Sequence, residues 1–171
     1  MTVARQDGLN EVFHPFCVEI PTEEQQRVVI GLAVQGINFV ADTWNISGWS
    51  RRRILEDRPL HICFDRAAGK GSGKLGFIKP YVKYLIGKKR LDEEAASGCV
   101  LQFLNTMIKF SRFLGAEGYR RLSDLTKETF LLYEDHILKL PIVEIYKQRC
   151  LLHGYYFIRG LGLDIDWHPP R

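Results

Sequence analysis

Nowhere in the 171 residues do 18 apolar residues run together without charge, so the sequence offers no candidate for a bilayer-crossing helix. The first ten residues carry Arg5, Asp7 and Asn10 where a secretory signal would have its apolar core. Cysteines are few: Cys17, Cys63, Cys99 and Cys150 lie far apart and none belongs to a C-x-x-C pair, which leaves out a zinc knuckle and a dithiol redox site. Four reduced thiols in a cytoplasmic, membrane-free protein are expected. Low-complexity composition is also missing. With 46% hydrophobic, 12% aromatic and 26% charged residues, the chain has the material for a packed core. At this length it forms one domain, or one domain with a smaller appendage.

Acids are absent from one long stretch. Between Arg66 and Leu91 there is no Asp or Glu, while Arg66, Lys70, Lys74, Lys79, Lys83, Lys88, Lys89 and Arg90 all fall there. Residues 1–60 sum to −2, residues 61–121 to +7 and residues 122–171 to −1, so the whole excess of +4 is central. Such a belt attracts a polyanion, or is simply a solvated face. A phosphate loop is not encoded: around Gly69-Lys70-Gly71-Ser72-Gly73-Lys74 the pattern G-x-x-x-x-G-K-[ST] meets Ala68 where it needs Gly and Leu75 where it needs Ser or Thr. These glycines read as a flexible linker, and no cofactor is expected.

The linker divides the chain into a leader, residues 1–73, and a helical unit, residues 74–171. In the leader, Thr22-Glu23-Glu24 after Pro21 can open a helix running toward Val34, since a hydroxyl accepts orphan amides and the acids suit the positive end of the dipole. The apolar run 37–40 does not separate strand from buried helix. Leu60-His61-Ile62-Cys63-Phe64-Asp65 reads as a short strand. His61, Cys63 and Asp65 would share one face of it, but without a second ligand set they suit a half-buried strand better than a hydrolase or metal site.

Four helices are expected after the linker. The first covers residues 77–89, with Pro80 in its opening turn and its end at Gly87 or shortly after. The second carries Val100, Phe103, Leu104, Met107, Ile108, Phe110 and Leu114 on one face and Gln102, Asn105, Lys109 and Arg112 on the other, stopping at Gly115 and Gly118. The third opens at Leu125-Thr126-Lys127-Glu128 and turns Phe130, Tyr133, Ile137 and Leu138 inward. The fourth, residues 142–159, offers Ile142, Ile145, Tyr146, Cys150, Gly154, Phe157 and Ile158 to the core. Stripes of this kind bury one another, so the expected fold is mainly α: a four-helix bundle preceded by a smaller mixed or irregular N-terminal segment.

This half of the chain resembles the N-terminal core-binding domain of tyrosine site-specific recombinases, the phage-integrase class. The resemblance covers roughly residues 75–171. It lies in the basic turn Lys88-Lys89-Arg90, the pattern Phe110-Ser111-Arg112-Phe113-Leu114 before the glycine turn Gly115 to Gly118, the opening Leu122-Ser123-Asp124-Leu125-Thr126, and Tyr133 with Leu138. The aromatics Tyr155-Tyr156-Phe157 and the closing Trp167-His168-Pro169-Pro170 add to it. Three features depart from the family: Ala95-Ala96-Ser97 opens the second helix where Ser or Thr is usual, His168-Pro169 replaces Asn-Pro, and about 70 residues precede the bundle.

The resemblance implies an N-terminal fragment of an integrase, clamping double-stranded DNA for a separate catalytic domain during DNA integration and recombination, alongside other protomers in a synaptic assembly. It implies phosphate contacts from Lys88, Lys89 and Arg90, and a groove-facing surface of Gln102, Asn105, Lys109 and Arg112 with Lys147 and Arg149. Gln102 and Asn105 are the base readers, because an amide bonds an adenine edge bidentately. No catalytic residue is expected: the family's H-x-x-R is met only by His168 with Arg171, in a Pro-Pro tail. The chain stops where a catalytic domain would begin, so cutting DNA on its own is not expected. The competing reading is a helical protein–protein interaction module without a nucleic-acid role, using Trp44, Trp49 and Trp167 as an exposed patch.

Overall fold

A computed structural model describes residues 15–51, 59–64 and 75–171. The fold is mainly helical, and the described residues form five α-helices and one small sheet: α1 (Thr22–Val34), β1 (Thr43–Asn45), β2 (His61–Cys63), α2 (Lys79–Glu93), α3 (Ser97–Ala116), α4 (Lys127–Lys139) and α5 (Glu144–Leu161). The glycine-rich stretch 69–74, the division at residue 73 and Asp65 lie outside the described residues. No helix among the described residues is long and apolar enough to cross a membrane.

The α1 helix runs where expected, but Pro21 rather than Thr22 takes the capping position, its carbonyl accepting from Gln25 N. Gln25 is fully buried. Its Oε1 accepts from Phe16 N at 2.9 Å, and its Nε2 donates to Cys17 O and Ile20 O, both at 2.6 Å. A satisfied buried amide of this kind holds the chain before α1 in one path. Residues 37–40 form neither strand nor helix: they follow a turn with Gly36 at φ 77°, burying Ile37 and Phe39 and exposing Val40. The β1 and β2 strands pair antiparallel with Trp44 opposite Ile62, both buried.

The leader shares one hydrophobic core with the helices. Two devices join them. Lys83 of α2 is only 4% exposed; its Nζ donates to Ala41 O at 2.8 Å and sits 5.1 to 5.5 Å from the ring centroids of Phe64, Phe39 and Trp44. Desolvated ammonium groups gain appreciably from such ring faces. The second device is a close crossing of α1 and α2. Gly87 does not end α2, as its residue type suggested; it lies inside the helix, where a Cβ would come within 2.6 Å of Val28 Cγ1 and 2.9 Å of Leu32 Cδ1. The helix ends instead at Glu94, in the left-handed conformation at φ 51°. Val28 is β-branched and cannot swing away. Gly87→Ala is therefore expected to destabilise by about 1–2 kcal/mol, crowding outweighing a helix-propensity gain of about 1 kcal/mol. Gly115→Ala, with open space around its Cβ, keeps the gain. Urea unfolding of the two variants checks the opposite signs.

Around α2 the remaining helices close a second part of the core: α3 and α5 both pack on α2 and on each other, and α4 packs on α5. Phe110 stands at its centre with Phe130, Tyr133 and Phe157. Asp124 and Thr129 hold the turn into α4: Arg121 N donates to Asp124 Oδ2 at 3.0 Å and Thr126 N to Thr129 Oγ1 at 3.0 Å. Leu138 and Ile145 are exposed, contrary to expectation. The buried stripe of α4 is Phe130, Tyr133 and Ile137, which turns Leu138 about 100° away; Ile145 lies half a helical turn from buried Gly154. Residues after α5 fold back over the bundle, where buried Trp167 donates Nε1 to Glu134 Oε2 at 3.0 Å and packs on Phe130.

Candidate nucleic-acid interface

The α3 and α5 helices run antiparallel. Phe103 meets Tyr156 at 5.5 Å, Thr106 meets His153 at 2.7 Å, and Lys109 Nζ lies 5.7 Å from the Tyr146 ring. Along each helix the seam is lined at the same spacing, i, i+3, i+7 and i+10. On α3 these are Gln102, Asn105, Lys109 and Arg112; on α5 they are Tyr146, Arg149, His153 and Tyr156. Each run covers about 15 Å at 1.5 Å per residue. The 20 residues of α3 include no Asp or Glu, and α5 has only Glu144 in its first turn.

Of the residues singled out in the sequence, six come together here. Gln102, Asn105 and Arg112 are exposed and hold no side-chain hydrogen bond or ion pair among the described residues; Lys109 and Arg149 are half-buried along the seam. Lys89 closes one end, its Nζ 4.2 Å from the Tyr156 ring centroid and 3.3 Å from Glu93 Oε2. Gln102 also borders a hollow of about 390 Å³ at the head of α3, with Arg51, Ser97, Gly98 and Cys99.

Lys88, Arg90 and Lys147 stand elsewhere. Because α2 continues to Glu93, Lys88, Lys89 and Arg90 are successive helical residues about 100° apart and point three ways. Lys88 lies beside Glu24, Tyr84 and Arg159. Arg90 packs 5.4 Å from the Trp49 ring and donates Nη1 to Glu94 O and Ala95 O, tying down the α2–α3 turn. Lys147 donates to Leu138 O at 2.7 Å, capping the end of α4. Glu93 meets Lys89 at one end of the seam; on the far side of α2, Arg27 bonds Glu24 at 3.1 Å and Asp92 at 2.8 Å, and the bond from Arg27 holds the Glu24 carboxyl below its usual range.

The sequence reading passed over His153 and Thr106. His153 packs edge-on against Phe103 at 5.3 Å, and burial, together with the charges of Lys89 and Arg149, pulls its pKa down to about 4. It is neutral at pH 7. The available signal was the α5 stripe itself, a histidine at the same spacing as Arg149. Burial raises the Cys150 thiol, with Lys109 and Arg149 pulling the other way. No cluster of His, Cys, Asp or Glu able to hold a metal is present among the described residues. The three tryptophans proposed as an exposed patch are all buried. Exposed apolar residues on and around α5 include Leu138, Val143, Ile145 and Leu152; Leu138 and Leu152 line a groove of about 500 Å³ with Pro169 and Pro170. No family model, curated protein or solved structure matches the chain.

Proposed function

We infer that this chain binds duplex DNA through the α3–α5 face, as the N-terminal core-binding part of a tyrosine recombinase that clamps DNA for a separate catalytic domain. The observation that carries the reading is the seam: Lys109, Arg112 and Arg149 along two antiparallel helices that bear one carboxylate between them, with Lys89 of α2 at one end, paired there with Glu93. The motif resemblance of residues 75–171 supplies the family, and the order of α2 to α5 is compatible with its four-helix bundle. The cations position the duplex through phosphates, while Gln102 and Asn105 face base edges. A 15 Å helix face is of the right size for a major groove about 12 Å wide.

Four phosphate contacts give a salt slope of roughly −3.6, so a fourfold rise in salt weakens binding about 150-fold. Lys109→Ala is expected to reduce the slope by about one unit, and Lys147→Gln to leave it unchanged. Anisotropy titrations of a labelled duplex at two salt concentrations check both; salt-independent binding overturns the reading. The apolar groove beside α5 favours a second reading, a protein-interaction module, under which no duplex binding is seen and Leu152→Glu abolishes association with the partner.

A further inference from the structure

We propose that His153 is a phosphate-binding residue of the α3–α5 face in its protonated form, so that duplex binding draws one proton from solution. The inference rests on the duplex-binding reading above. Its basis is the place of the ring at the middle of the seam and the way Thr106 fixes it. Thr106 Oγ1 donates its single hydrogen to Phe103 O at 2.8 Å, so the 2.7 Å contact with His153 is a bond from Nδ1–H to Oγ1. The nitrogen left to take up a proton is Nε2. A proton there turns an acceptor into a charged N–H donor, the kind of group that bonds a phosphate oxygen strongly.

The surroundings keep that proton off in the free protein. From α2 comes Lys89, with Glu93 bound to it; from α3 come Lys109 and the neutral Phe103 and Thr106; from α5 come Arg149, Cys150, Tyr146 and Tyr156. Lys89 and Arg149 act on the imidazole with burial, all in the direction of neutrality. A phosphate backbone laid along the seam reverses two of the three. It offsets the charges of Lys89 and Arg149, and adds anions of its own within reach of the ring, an effect of about 1–3 pH units at 4–6 Å. Burial is unchanged and opposes this, so the group returns toward its ordinary value of 6.5. Thr106 and His153 thus form a polar step between two cationic side chains that opens to anions as pH falls.

The test uses the full chain and a labelled 20-base-pair duplex of arbitrary sequence at fixed low salt. Affinity is expected to rise about tenfold from pH 7.5 to 5.5, the behaviour of one linked proton. Calorimetric titrations at pH 6 in two buffers of unlike ionisation heat are expected to show uptake of most of a proton. In His153→Asn, where the amide keeps the bond to Thr106, the pH-dependent gain and the proton uptake disappear. A proton NMR titration of the wild-type His153 ring, which needs no variant, is expected to move from about 4 in the free protein toward 6.5 with duplex. Duplex binding whose pH dependence and proton uptake are the same in wild type and His153→Asn, or a ring that titrates alike with and without duplex, overturns the inference and leaves the DNA reading standing. Absence of duplex binding at every pH overturns both.

Discussion

Phe110→Ala lowers the stability of the fold by about 3–5 kcal/mol, the cost of removing a buried phenyl ring and leaving its cavity. Phe110 of α3 is fully buried, and two other helices meet on its ring: Phe130 at 5.5 Å and Tyr133 at 4.8 Å from α4, and Phe157 at 5.4 Å from α5. Aromatic neighbours on several sides cannot all collapse into the vacated space, which places the loss toward the upper end. For a chain of this size each kcal/mol moves the melting temperature by about 2–4 °C, so a drop of about 10–15 °C is expected. Phe110→Leu recovers most of the loss by refilling volume. Leu138→Ala, on an exposed side chain of the same bundle, stays within about 0.5 kcal/mol. Chemical denaturation of the three variants tests the claim; equal losses at Phe110 and Leu138 would contradict the assigned core.

The largest effect on function is expected from the double reversal Lys109→Glu with Arg149→Glu. Each cation that meets a phosphate contributes about 0.9 to the salt slope, which at 0.1 M salt is close to a tenfold share of affinity. Reversal removes that share at two sites and adds repulsion at both, so a loss of about 10³-fold in duplex affinity follows. Lys147→Gln, two residues from Arg149 but turned toward the end of α4, changes affinity less than threefold. The contrast separates a face from a net charge: a general pull by the +4 chain would respond to any lost cation. Circular dichroism confirms that the variants remain folded.

Helix content was legible because it is written locally. The apolar stripe of α3 and the Thr126 start of α4 follow from spacing and capping chemistry, and α1 runs from Thr22 to Val34 as expected, although Pro21 and not Thr22 caps it. What escaped depends on partners distant in sequence. Gly87 looks like a stop signal until Val28 and Leu32 are placed against it, and the tryptophans look like a docking patch until the sheet and the α4 surface cover them. The basic triplet reads as one cluster in a turn and as three directions in a helix, so the length of α2 decides which cations meet the seam. His153 was missed for a related reason. A histidine within a helix carries no mark of its role, and only the packing of α3 and α2 on α5 brings Thr106 and Lys89 to it.

The lodging of Lys83 among Phe39, Trp44 and Phe64 has a consequence for cooperativity. Its aliphatic stem belongs to α2 while its charged head is housed by the preceding segment, so neither part can melt and leave the other intact. Heating should give one endotherm, with calorimetric and van't Hoff enthalpies in agreement, instead of two separate steps. A polypeptide beginning at residue 75 would bare the α2 surface around Lys83, Tyr84 and Gly87 to water and is expected to self-associate more than the whole chain.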